Sequence, residues 1–264
     1  MICSFDRAVL GRTGIEVCRI GISASYGVPG AAVERAFEQG VNYIYWGTMR
    51  RAEFGKAIRN LAPHRERFVL VIQSYSRMAS LLGFSLERAL RELRFEYADV
   101  LLLGMWNRPL PPRYLEAFHR LKARGLVRYL AISTHKRKLV PEFASGNDFD
   151  IVHFRYNAAH PGAEQDIFPH LPPADACPGL VAFTATSWGQ LLKSRKIPRD
   201  LPRPTATDCY RFVLSRPEVD VCMTGPATAE HVESALEALR RGPMSEEELA
   251  WMRRAGRAVS GKAA

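Results

Sequence analysis

Apolar and polar positions along the chain repeat in a fixed order. A short, nearly continuous apolar run gives way to a break, then to apolar residues at helical spacing. The runs cover Cys18 to Ile22, 41–46, 67–73, 98–103, 127–133, 150–156, 180–186 and 219–224. They are apolar at successive rather than alternate positions, as strands buried on both faces of a parallel sheet must be. Between them, Pro29 opens a helix with Val33, Ala36 and Phe37 on one face, and Gly40 ends it. Further helices are predicted near 50–60, after Ser85, over 113–124, in a basic stretch from His135, near 162–170, over 228–240 and over about 245–258. Ser85 reads as an N-cap with Glu87 in the first turn. Ahead of the first run, Leu10 to Val17 reads as a hairpin turned at Gly11 and Gly14. The stretch 187–205, with Pro198, Pro202 and Pro204, reads as an irregular loop.

Eight strand–helix alternations predict an α/β fold, either a (β/α)8 TIM barrel or a doubly wound sheet. No Gly-x-Gly-x-x-Gly follows the first strand, which weighs against the doubly wound sheet. The expectation is one domain over 1–264: a (β/α)8 barrel with a short N-terminal β-hairpin and a C-terminal helix.

Composition changes this little. The 47% hydrophobic and 24% charged residues are ordinary for a globular chain. The net charge of +10 favours anionic ligands. The basic clusters Arg50-Arg51, His135 to Lys138 and Arg253-Arg254 are not interleaved with aromatics, so they read as solvated faces and no nucleic-acid partner is expected. No apolar run is long enough for a bilayer, and Met1 to Arg7 lacks a signal-peptide core, so the expectation is a cytoplasmic protein with no membrane partner. Five scattered cysteines argue against a disulfide framework and against a metal site, and Cys18 and Cys222 read as core residues.

In a barrel the chemistry sits at the C-terminal strand ends. Those ends offer Tyr45-Trp46, Gln73 to Tyr75, Gly104 to Trp106, Ser133 to His135, Arg155 to Asn157, Thr184 to Trp188 and Thr224-Gly225. They are rich in aromatics and hydroxyls and poor in carboxylates, and no Ser/His/Asp set or carboxylate pair stands out. His153 and Arg155 share one face of their strand by the period of two. A buried arginine needs an anion, from an acidic ligand or from Asp148, Asp150 or Glu53.

Several segments occur in the order, and over nearly the whole length, of the aldo/keto reductase family. They include Leu10 to Gly14, Gly40 to Tyr43, Phe54 to Ala57, Tyr97 to Leu103, Gly125 to Ser133, Tyr156-Asn157 and Gly225 to Leu236, and the chain resembles that family. The resemblance implies carbonyl reduction with NADP or NAD by aspartate, tyrosine, lysine and histidine. Here Tyr45 stands at the aspartate position, the tyrosine position falls near Met49-Arg50, and Gln73 and Gly104 stand for the lysine and histidine. On the cofactor side it implies Ser133, Thr134 and His153 at the nicotinamide amide and Trp188 on its face. Gly189, Gln190 and Leu191 would supply N–H groups to the pyrophosphate, with Gly225 and Thr228 toward the adenosine. Ala227 and Ala235 replace residues the family uses on the nucleotide.

The leading expectation is therefore a divergent oxidoreductase acting on a small, anionic molecule. Tyr45 would be the proton donor, with Arg50, Gln73 and Arg155 around it. The alternatives are an inactive barrel that binds or scaffolds, and a repurposed lyase or isomerase.

Overall fold

Strand alternation decides the architecture. In the computed structural model, which describes residues 5, 7–47 and 52–261, eight parallel strands close into a barrel. They are β3 (Ile20–Ser23), β4 (Tyr43–Trp46), β5 (Val69–Ser74), β6 (Ala98–Leu103), β7 (Val127–Thr134), β8 (Ile151–Arg155), β9 (Gly179–Phe183) and β10 (Val221–Thr224). Each pairs with its sequence neighbour, and β10 closes on β3. The strand order is the one expected.

Each strand splits its side chains between two cores. Val69, Val71, Val100, Ala131, Ile151, Val181 and Val221 fill the barrel interior. Leu70, Ile72, Leu101, Leu103 and Ile132 point out to the helices. Burial on both sides is the reason the strands read as unbroken apolar runs. The short strands β1 (Ala8–Val9) and β2 (Glu16–Val17) form the expected hairpin. It plugs the N-terminal end of the barrel, with Leu10 and Val17 fully buried in the inner core. Gly11 lies so close to Gly179 that a Cβ would sit 2.2 Å from its backbone nitrogen.

The helices are α1 (Gly30–Glu38), α2 (Ala52–Asn60), α3 (Leu82–Leu93), α4 (Pro112–Ala123), α5 (Leu139–Ser145), α6 (Ala163–Asp166), α7 (Gln190–Lys193), α8 (Ala206–Leu214), α9 (Ala229–Arg241) and α10 (Glu246–Ser260). Gly40 turns the chain out of α1 with φ +97, as expected of a glycine there.

Four expectations need correction. Helix α3 starts at Leu82, because a 3-10 turn over Ala79–Leu81 feeds directly into it, so Ser85 is inside the helix and not its cap. The basic run His135 to Lys138 is a turn, and the helix begins only at Leu139. The predicted helix at 162–170 is broken at Ile167 into α6 and a 3-10 turn over Phe168–His170 that contains Pro169. The stretch 187–205 contains α7, and α8 follows it behind a Thr205/Asp208 capping box.

Among the described residues no helix is long and apolar enough to cross a membrane. Cys18 and Cys222 are buried core residues.

Candidate active site

The period of two that fills the barrel core with valines continues to its C-terminal mouth, where the inward positions turn polar. On β4 the inward residues are Tyr43 and Tyr45, on β5 Val71 and Gln73, on β7 Ser133 and on β8 His153. Of these, Tyr45, Gln73, Ser133 and His153 line a cavity of about 630 Å³, with Leu102 and Met223 among its apolar walls. That is room for a small organic ligand.

Tyr45 and Gln73 form a pair. The phenolic O–H of Tyr45 donates to Gln73 Oε1. Gly104 makes this possible, since a Cβ there would lie 2.4 Å from Gln73 Nε2 and 2.4 Å from the Tyr75 ring. The residues at 73 and 104 are thus one packing solution: the amide and the Tyr75 ring occupy the space a side chain at 104 would need. Burial, then the neighbouring Tyr75, push the Tyr45 hydroxyl well above the ordinary tyrosine range. Deeper in, the Tyr43 hydroxyl and His153 Nε2 share a hydrogen bond of 2.9 Å. Burial pushes the His153 imidazole down to about 3, so it is neutral near pH 7. The polar base of the cavity therefore carries hydrogen-bonding groups that are all uncharged at neutral pH.

The remaining expected residues separate by strand face and by loop. Ser133 lines the cavity and fixes the β6–α4 turn: its Oγ accepts from Met105 N–H at 2.9 Å and its carbonyl from Trp106 N–H at 2.7 Å. Thr134, the next residue, faces away, its hydroxyl donating to Asn107 Oδ1 at 3.0 Å. Trp188 is 56% exposed and lies on the cavity, and Gly189 lines it too. Leu191 is buried in the outer core, and Gln190 is not among the lining residues. The N–H groups of Gly189, Gln190 and Leu191 donate within the turn, to the carbonyls of Thr186, Ser187 and Thr186. That turn holds three non-glycine residues at positive φ, Thr184, Ser187 and Trp188. Ser187 Oγ is buried there with no hydrogen-bond partner among the described residues.

Gly225 forms part of the wall under the Tyr26 ring, which would lie 2.7 Å from a Cβ at that position. Thr228 is outside the lining. It caps α9, accepting from His231 N–H at 3.3 Å, and it is Ala227 and His231 that face the cavity. Arg155 is not among the lining residues; its guanidinium lies 5.8 Å from the ring centre of Trp188, which is. It makes no salt bridge among the described residues. Asp150 lies at the opposite end of the same strand, where it accepts from Leu130 N–H, and Glu53 lies beside Gly30. Arg50 falls outside the described residues, as does Met49.

Sequence reasoning missed Tyr26, Phe183, Lys193, Tyr210 and His231 as cavity residues. Reading the end of the first barrel strand like the others would have found Ser23 and Tyr26. Tyr210 needed helix α8, which the Thr205-x-x-Asp208 spacing announces. Among the described residues no cluster of histidine, cysteine or carboxylate side chains is arranged to hold a metal ion.

The model of the aldo/keto reductase family matches residues 30–177, more than half of the chain. Among solved structures, the holo form of the aldo-keto reductase AKR11C1 from Bacillus halodurans superposes with a TM-score of 0.78 at 19% identity, covering 94% of this chain and 95% of that one. The apo form of the same protein gives 0.75 at 19% identity with the same coverage. At that identity the likeness speaks for the fold alone. No curated protein matches the chain.

Proposed function

The chain belongs to the aldo/keto reductase family, and from that premise we propose that it reduces a carbonyl with a nicotinamide nucleotide through hydrogen-bonding groups that are uncharged at neutral pH. The observation that carries the reading is the Tyr45–Gln73 pair at the base of a cavity with an aromatic rim and, among its described lining residues, no carboxylate. Such a lining suits an anionic nucleotide, and Trp188 presents an exposed ring for a flat group to stack on. Ser133 and His153 would face the carboxamide, and Gly225 and His231 the nucleotide. The unpartnered Ser187 Oγ and the N–H groups of 189–191 would meet phosphate after exchanging their bonds within the turn. When bound, the cofactor would supply the hydride.

The chain's own part is to hold and deliver a proton. Burial keeps the Tyr45 phenol protonated across the physiological range, so it is always a donor. Its proton now points at Gln73 Oε1. Half a turn of the amide would present Nε2–H to Tyr45 and free the phenolic proton for a substrate oxygen. No cation pairs with the Tyr45 hydroxyl among the described residues, so this is slower acid catalysis than an activated tyrosine gives.

NADPH and NADH titrated against tryptophan fluorescence, followed by turnover with a panel of aldehydes, tests the proposal. Tyr45→Phe is expected to lower kcat about 100-fold, the low end for loss of a general acid, with little change in cofactor affinity. An unchanged kcat in that variant would sink it. A second reading, a barrel that binds a nucleotide without turnover, is favoured by the commitment of the Tyr45 proton to Gln73. Saturable cofactor binding without hydride transfer in a single-turnover experiment would select it.

A further inference from the structure

We propose that Arg155, at the cavity rim between His135 and Trp188, binds a carboxylate carried by the substrate. The word substrate rests on the reading above; the anion subsite does not. Strand β8 sets Arg155 on the same face as His153, one layer nearer the mouth. Its register pairs Arg155 with Phe183 on β9, while Ser133 pairs with His153 on the other side, so His135 stands level with Arg155. The guanidinium lies over the Trp188 ring, 5.8 Å from its centre. His135 in turn packs edge-on against Phe183, ring centres 5.3 Å apart.

This is a half-buried guanidinium with no carboxylate opposite it among the described residues. A partly desolvated cation is costly unless an anion meets it. The protein could have supplied one from its own chain, as it does for Arg137, which Asp166 holds at 2.7 Å. Arg155 is not itself among the cavity's lining residues, but the groups around it, His135, Phe183 and Trp188, all are, so an anion at the cavity's edge would lie beside it. The planar fork matches a carboxylate with two parallel hydrogen bonds, and aromatic packing on Trp188 holds the plane.

Charge decides which anion. His135 is pushed below the ordinary histidine range by burial and by Arg155, so it stays neutral near pH 7 and acts as a hydrogen-bonding neighbour. Arg137 is already neutralised, and Lys193 is solvent-exposed on α7. Among the described residues, Arg155 and Lys193 are then the unpaired cations on this side of the cavity, and only Arg155 offers a planar fork held on an aromatic face, the geometry that matches a carboxylate.

The test is calorimetric binding of 4-formylbenzoate and its uncharged methyl ester to the full chain. The acid is expected to bind about tenfold more tightly than the ester, within the range of a charge-assisted, two-bond contact. Arg155→Met is expected to erase that preference. Arg155→Lys should keep a fraction of it, since charge remains but the fork is lost. Thermal melts establish that both variants fold. Equal binding of acid and ester, or a preference that survives Arg155→Met, would overturn the proposal. So would phenyl phosphate binding more tightly than 4-formylbenzoate through Arg155. Absence of turnover with an acid preference intact would sink the reductase reading and support this one.

Discussion

At Tyr45 the question is which neighbour shapes the acidity of the phenol. Gln73 is neutral, and burial raises the hydroxyl well above the ordinary tyrosine range, which weakens it as an acid. An ammonium group in place of the amide would favour the phenolate by its charge. Gln73→Lys is therefore expected to lower the Tyr45 pKa by at least about one unit. Alkaline titration of the ultraviolet tyrosinate band, against the Tyr45→Phe/Gln73→Lys double variant, reads the shift. Identical titrations of the two proteins would show that residue 73 does not govern Tyr45. The same scale explains what the sequence could and could not give. Tyr45, Gln73, Ser133 and His153 all face the cavity because each is an inward position of its strand. Ser133 and Thr134 were both matched by resemblance, yet adjacent strand residues face opposite ways, so only one of them can reach the cavity. The Gly104–Gln73–Tyr75 packing was not legible, because it depends on distances across neighbouring strands.

At the scale of elements, one device repeats around the N-terminal end of the barrel. Asn42 Oδ1 accepts from Cys18 N–H, and Asp99 Oδ2 accepts from Leu70 N–H. Asp150 Oδ2 accepts from Leu130 N–H, and Asp220 Oδ2 from Leu180 N–H, each at 2.8 Å. Every second strand thus begins with a side chain that ties the strand before it. In sequence each is one polar residue inside an apolar run: Val41-Asn42-Tyr43, Ala98-Asp99-Val100, Phe149-Asp150-Ile151 and Val219-Asp220-Val221. The strands were legible because burial on both faces leaves an unbroken apolar signal. Helix α3 was displaced because its start depends on a preceding 3-10 turn and not on a capping side chain. Asp150→Ala removes the acceptor and strands a backbone N–H at Leu130, a residue that is fully buried. The expected loss is about 1–3 kcal/mol in urea unfolding, with Asp150→Asn losing less because an amide oxygen still accepts. Equal effects of the two substitutions would argue that charge, not the acceptor, matters there.

Across the whole molecule these ties make one end of the barrel rigid and leave the other for chemistry. The N-terminal end holds the hairpin plug and the four tied strand pairs. The mouth holds the strained Thr184 to Trp188 turn and exposed apolar side chains such as Tyr75, Met105 and Trp188. Such a division lets site residues be unfavourable for folding without unfolding the chain. The rigid end has its own cost, which sets a pH dependence of global stability. Asp99 is met by Arg65 at 2.8 Å and Arg128 at 3.2 Å. Asp220 is half-buried, and desolvation raises its carboxyl to about 6 despite the N–H of Leu180 and the charge of Arg19. An acid raised on folding holds its proton more tightly in the folded state. Its stabilising contribution is complete below the unfolded value near 4, and is lost as pH rises through 6. Replacing it with the uncharged, isosteric amide removes that loss and keeps an acceptor for Leu180. The stability of Asp220→Asn relative to the native chain should thus increase between pH 4 and pH 7, by on the order of 2–3 kcal/mol. Urea midpoints of the two proteins across that range measure it. A difference that stays flat with pH would mean that Asp220 ionises in the folded barrel as readily as in the unfolded chain.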